Sequence, residues 1–313
     1  MKLHILSLLL LSTLLILNAC KKSEETLTPS GIINTYSVPQ GNNAFDQTIV
    51  DYYQKYGTYL LYKFTEKDAY WTPTGSKKPM QLPNGVYQGG GEVLPADPTY
   101  IPAQLSLIQN KLFAFYSDKF LKKFLPVKIM LCSKVDSVTY SAVFTVPITY
   151  VKNTKKVAAY YNYDNIQINF GDATINSMTA ADQRLFIYKA NLIFIQSIIA
   201  RGQTTPISEF VTSADYITAM TTTTQAYGKG IIISPFSPTA QLDWNAYIIA
   251  MVTQSTVQLN ASVPITDTTA GGILNPTKDT TGQIKKRYNI VRNYFINEYG
   301  VDLQVIGNAT RGI

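Results

Sequence analysis

The spacing of apolar positions changes several times along this chain, and each change marks an element. A nearly unbroken apolar run follows Met1-Lys2 and reaches Leu17. The next stretch, to residue 43, holds too little apolar surface to fold and reads as a solvated tether. Phe45, Ile49, Tyr52 and Tyr53 then recur at helical spacing, with Gly57 as the stop. Thr58 to Phe64 alternates and carries aromatics, which predicts a strand. Residues 72–102 are rich in Pro and Gly and predict an irregular connection, with Asn84-Gly85 and Gly89-Gly90-Gly91 as turns. A helix is expected from Ala103 to Phe124, stopped by Pro126. Strands are expected at 127–132, 138–151, 157–161 and 165–170.

The stretch after Thr179 is the most informative. Thr179-Ala180-Ala181-Asp182 reads as a helix start, and Leu185 to Ile199 is apolar almost all round. Such a helix is buried on most sides, and Gly202 closes it. Two further helices are expected at Leu242–Thr253 and Ile284–Tyr299, the latter ending at Gly300. Residues 254–282, rich in Thr, Gly and Pro, should form a surface excursion. The order predicts an α+β fold: a small mixed or antiparallel sheet packed with helices, and a mostly helical C-terminal half.

The leader bounds the rest. One early cation, an apolar stretch shorter than a membrane span, and Leu17-Asn18-Ala19-Cys20 describe an export signal. Leu-x-Ala-Cys resembles the bacterial lipobox, which implies cleavage after Ala19 and acylation of Cys20. Several acyl chains on one Cys would hold the protein firmly to a membrane. Lys21-Lys22-Ser23-Glu24-Glu25 resembles the surface-export signal of Bacteroidota lipoproteins and implies a lipid-anchored, cell-surface position on the outer membrane. The expected organisation is a signal peptide at 1–19, a tether at 20–43 and one domain at 44–313.

Composition then removes whole classes of chemistry. The formal net charge is +7, falling to about +6 without Lys2, and the cations are scattered apart from Lys155-Lys156 and Lys285-Lys286-Arg287. No basic stripe marks a nucleic-acid surface. With Cys20 lipidated, Cys132 is the remaining cysteine; it lies in a strand-like run and reads as a buried, inert thiol. The single histidine is His4, inside the leader. An imidazole base and a His-built zinc site are therefore both lacking in the mature chain. Carboxylate chemistry and plain binding remain open.

Several segments, in order, resemble the substrate import-associated zinc metallohydrolase lipoproteins of Bacteroidota, a gluzincin-like metallopeptidase group associated with SusCD-type transporters. They are Tyr59-Leu60-Leu61-Tyr62-Lys63-Phe64, Phe120-Leu121-Lys122-Lys123-Phe124-Leu125-Pro126, Arg184-Leu185-Phe186, and Gly230-Ile231-Ile232-Ile233-Ser234-Pro235-Phe236. Asp243-Trp244, Arg292-Asn293-Tyr294-Phe295 and Tyr299-Gly300-Val301-Asp302-Leu303 complete the set. The resemblance runs from about Phe45 to Leu303 and implies a zincin-like core. The family's HExxH places two imidazoles one helical turn apart on zinc, with a Glu to activate water. Set on Arg184-Leu185-Phe186, that motif falls on Asn191, Leu192, Ile193, Phe194 and Ile195. Set on Asp243-Trp244, the third-ligand Glu falls on Ala246. The resemblance therefore implies a degenerate member without zinc, acting as a binding or docking accessory beside a SusC-like transporter and a SusD-like lipoprotein.

Two other readings stay open. A carboxylate enzyme would draw on Asp164, Asp172, Asp182, Glu209, Asp215 or Asp243, although Asp182 and Asp243 both sit at expected helix starts. A glycan- or peptide-binding protein acting alone would draw on Tyr160, Tyr161 and Tyr163. In a strand, Tyr161 and Tyr163 would share one face and Tyr160 the other. Packing against strand neighbours is the plainer role for such tyrosines. Asn191 and Gln196 read most simply as buried amides bonded to nearby backbone.

Overall fold

Six strands form the main sheet: β1 (Tyr59–Leu61), β2 (Gly90–Pro95), β3 (Lys128–Val143), β4 (Thr149–Lys156), β5 (Ala159–Tyr161) and β6 (Asn165–Ile168). The computed structural model describes residues 36–313, of which Val38–Ile313 make one compact unit. The leader, Cys20 and most of the expected tether lie outside the described residues. The end of that tether is docked: Gln40 Oε1 accepts from the backbone N–H of Tyr62 at 2.8 Å and of Lys63 at 3.0 Å.

β3 organises the sheet. Its first half lies between β1 and β6, both parallel to it, with Leu60 beside Ile129 and Ile129 beside Ile166. β5 adds antiparallel to β6. The second half of β3 pairs antiparallel with β2 and with β4. The sheet is mixed, as the sequence predicts.

The helices follow from capping and apolar spacing. α1 (Asp46–Tyr56) buries Ile49 and ends at Gly57 in a left-handed conformation. The helix expected across 103–124 is two, α2 (Ile101–Lys111) and α3 (Asp118–Phe124), separated by a 3-10 turn. The break falls where the Ser117 hydroxyl accepts from the backbone N–H of Phe120, capping α3. α4 (Ala180–Ala200) starts at a full capping box between Thr179 and Asp182. It packs on β5 and β6 on one side and on α5 (Ala240–Thr253) and α7 (Leu303–Ala309) on the other. α6 (Gln283–Tyr299), closed by Gly300, leans on α5. Gln104 of α2 ties the layers by donating to the carbonyls of Cys132, Ile168 and Asn169 at 2.9–3.1 Å.

Three expectations need correction. Residues 72–102 are not wholly irregular: Asn84-Gly85 is the expected turn, but β2 runs through Gly90 and Gly91. Gly91 is required there: a Cβ would stand 2.7 Å from the Tyr160 ring and 2.8 Å from Gln167 Oε1. The strand expected at 138–151 folds back on itself, its two arms being the end of β3 and the start of β4. Its turn lacks the Asn-Gly or Gly-x pair that marks a two-residue hairpin. The excursion at 254–282 lies at the surface as expected, but it is tied into the fold rather than loose. Lys278 is buried and donates to the carbonyls of Thr269 and Gly271 at 2.9 and 2.7 Å. Asp279 accepts from the backbone N–H groups of Ile284 and Lys285 in the first turn of α6.

Candidate functional site

A groove of about 750 Å³ opens between the β4–β5 corner and the exposed side of α4. Val157, Ala158, Phe170, Met178, Leu185 and Leu192 give it apolar walls, and Lys155, Lys156 and Lys189 stand on its rim. Alternation along the antiparallel β5–β6 pair shapes one wall. Asn169 N–H donates to Ala158 O and Asn162 N–H to Asn165 O, so Ala159 and Tyr161 direct their backbone polar groups away from β6.

Few groups in this groove could move a proton. Asp182 accepts from the Thr179 backbone N–H at 2.9 Å and hydroxyl at 2.7 Å. Those bonds hold its carboxyl below the usual range. The Tyr160 phenol is pushed up by burial. Lys156 stands over the Phe170 ring and reaches Asp172 at 3.8 Å. Apolar walls with a cationic rim favour holding a ligand over transforming one.

The positions singled out by the resemblance look elsewhere. Asn191 is fully buried and its Nδ2 donates to Lys111 O at 3.2 Å and Ile187 O at 2.7 Å, while its Oδ1 has no partner. Ile195 lies in the core beside Phe120, Phe124 and Phe295. Ala246 is half-buried on α5. Only Leu192 and Ile193 of that stretch reach the groove. An amide, a leucine, an isoleucine and an alanine do not fit zinc. Among the described residues, no three His, Cys, Asp or Glu side chains gather where they could hold a metal ion. Asn191 is the backbone-bonded amide the sequence suggests, whereas Gln196 is only half-buried.

The three tyrosines do not build one platform. β5 ends at Tyr161, so the strand geometry that would pair Tyr161 with Tyr163 is lost. Tyr160 lines the groove, Tyr161 packs against the core, and Tyr163 is exposed edge-on to Trp71 at 5.6 Å.

The candidate acids are scattered and mostly occupied. Asp164 pairs with Lys128 at 2.9 Å, and Asp172 caps the turn at Ala173. The Thr218 hydroxyl and the Lys229 ammonium, then the backbone N–H groups of Thr218 and Ile217, hold the Asp215 carboxyl far below its usual range. Asp243 lies in the first turn of α5, as expected of a helix-start acid, but it is not exposed. It is sealed in the core against Arg287, so the expected basic cluster at 285–287 loses its last member to the interior. Glu209 shares a shallow polar groove of about 570 Å³ with Glu298. The Lys119 ammonium keeps Glu298 below the carboxylate range, which suits neither a general acid nor a tuned pair. Cys132 is fully buried, and burial pushes its thiol up, away from the reactive thiolate.

Of the groove residues, the sequence marked Tyr160 as a possible ligand contact, Asp182 as a candidate acid, Lys155-Lys156 as a charge cluster, and Leu185, Phe186, Leu192 and Ile193 only as motif positions. Leu185, Lys189 and Leu192 follow at helical spacing along one side of α4, but a helix apolar almost all round hides which stripe faces out.

Comparison with known families and with curated protein sequences finds no match. Among solved structures, the chain is similar to a candidate zinc-binding metallo-peptidase from Bacteroides caccae. The identity is 12%, the match covers 85% of this chain and 90% of that one, and the TM-score is 0.44.

Proposed function

We propose that this chain is a non-catalytic, lipid-anchored surface protein that binds a ligand or docks as an accessory of a SusCD-type TonB-dependent outer-membrane importer. The anchor is Cys20, and no zinc is held. The observation that carries the non-catalytic reading is the groove itself. Its walls are apolar, its one carboxylate is committed to capping α4, and the HExxH-aligned positions Asn191 and Ile195 are packed in the core. Placement at an importer is supported by the lipobox, the acid-containing stretch after it and the ordered sequence resemblance.

A screen of peptide and glycan hydrolysis, run with metal analysis of the purified protein, tests this reading. The expected result is no turnover and no stoichiometric zinc. Turnover with one equivalent of zinc would restore a metallohydrolase, and turnover lost on changing a single acid would establish a carboxylate enzyme.

A second reading, a glycan binder acting alone, draws on Trp71 and Tyr163, which are 40% and 54% exposed and meet edge to face. Exposed aromatic faces can stack on sugar rings. Glycan-array binding that disappears in Trp71→Ala would favour it.

A further inference from the structure

The β3–β4 hairpin projects beyond everything else in the sheet. Every residue from Ser141 to Lys156 is exposed. At its end Phe144 is 89% and Val146 103% exposed, with Val143 and Ile148 also open. Side chains of this kind normally lie inside, and an apolar cluster on a protruding tip marks a contact surface.

Three features narrow the partner. From Ser137 to Val151 the chain has no charged side chain, so nothing at the tip sets a register with a protein surface. The turn satisfies its own polar groups: Thr145 N–H donates to Val143 O at 2.8 Å, and the Thr145 hydroxyl donates to Pro147 O at 2.7 Å. That lowers the penalty of taking the turn out of water. Behind the tip comes an aromatic tier, Tyr140 and Tyr150, both braced by Tyr87 at 4.8 and 4.5 Å. Lys152 follows opposite Tyr140, then Lys155 and Lys156. Lys152 lies six residues from Val146, about 20 Å at strand rise. Apolar tip, tyrosines, then lysines is the order in which a bilayer presents acyl chains, interface and headgroups.

We infer that the β3–β4 hairpin inserts its tip into a lipid bilayer, with Phe144, Val146 and Ile148 at the acyl boundary and the β4 lysines at anionic headgroups. The inference goes beyond the proposed function and does not depend on it. Among the described residues no helix is long and apolar enough to cross a membrane, and the hairpin needs only to enter one leaflet. Lys152 bonds Glu92 at 3.0 Å and Lys156 reaches Asp172 at 3.8 Å, so these two lysines share their headgroup attraction with acids of the fold.

The unlipidated unit Val38–Ile313, which contains the core formed by the described residues, is mixed with phosphatidylcholine vesicles with and without phosphatidylglycerol. Sedimentation with the vesicles is expected, stronger with the anionic lipid and weakened by salt. A variant carrying Phe144→Ser, Val146→Ser and Ile148→Ser should partition at least about tenfold less, because these exposed side chains support no part of the fold. Phe144→Trp should shift its emission to the blue and be quenched by brominated acyl chains. Failure of the unchanged domain to sediment would overturn the inference, as would equal sedimentation of the triple variant. A dimer that the triple variant dissolves, without vesicle association, would overturn it by giving the tip to a second copy.

Discussion

Arg287 of α6 and Asp243 of α5 form an ion pair at 2.8 Å with neither side chain open to solvent. Arg287 also donates to Phe210 O at 3.2 Å and to the Ser213 hydroxyl at 2.9 Å. Asp243 accepts from the Tyr216 hydroxyl and the Ile232 N–H, each at 2.9 Å. Burial pushes the Asp243 carboxyl up to about 6, with Arg287 opposing. This network joins the two long C-terminal helices to the segment at 207–232. Removing one partner strands the other, so Arg287→Met should cost about 3–5 kcal/mol. Asp243→Asn combined with Arg287→Met should cost less, since no charge is left buried. Chemical denaturation of the three proteins measures both.

A second ion pair carries a pH dependence. Arg292 holds Asp302 through paired bonds at 2.9 and 2.6 Å, and the guanidinium lowers the Asp302 carboxyl. A lowered acid contributes stability that is complete above its unfolded value near pH 3.9 and disappears as pH falls through the folded value. Arg292→Gln should therefore narrow the gap in melting temperature between pH 7 and pH 3. A gap as large as in the unchanged protein would contradict this.

Gly307 is where α7 touches the end of α5. A Cβ there would lie 2.2 Å from the carbonyl oxygens of both Met251 and Gln254. Gly307→Ala must push the helices apart, and a loss of about 1–3 kcal/mol is expected from the overpacking. Thermal melting of the variant checks it.

Reinstalling the motif should not reinstall the metal. The combined variant Asn191→His, Leu192→Glu, Ile195→His and Ala246→Glu directs the 191 and 195 side chains into the core beside Lys111 O and Phe120. It should take up no zinc and should lose several kcal/mol of stability, roughly the cost of burying unsatisfied polar groups. Calorimetric zinc titration and denaturation report the two outcomes separately.

Most of the fold was legible because its signals are local. The Thr179–Asp182 capping box and Gly202 bound α4 within a residue or two of the expected ends, and Gly57 and Gly300 stop α1 and α6 as read. What escaped depends on tertiary contacts. Nothing local shows that Gly91 belongs to a strand, because its reason is the Tyr160 ring beyond it. Asp243 looks like a helix-start acid until Arg287, far along the chain, comes to meet it. The groove escaped for a related reason: in a helix apolar almost all round, Lys189 is too sparse a signal to show that Leu185 and Leu192 share its side. The tyrosine cluster read as a strand misled because β5 stops at Tyr161, leaving Tyr163 to pack on Trp71.

The most direct test of the central claim is the composition of the complex that leaves the native outer membrane with the full, lipidated chain in mild detergent. The account predicts a SusC-like transporter and a SusD-like lipoprotein in near-stoichiometric amounts, in a complex that hydrolyses neither peptide nor glycan. Recovery of the chain without a transporter, or of a complex in which this subunit supplies the hydrolysis, would contradict it.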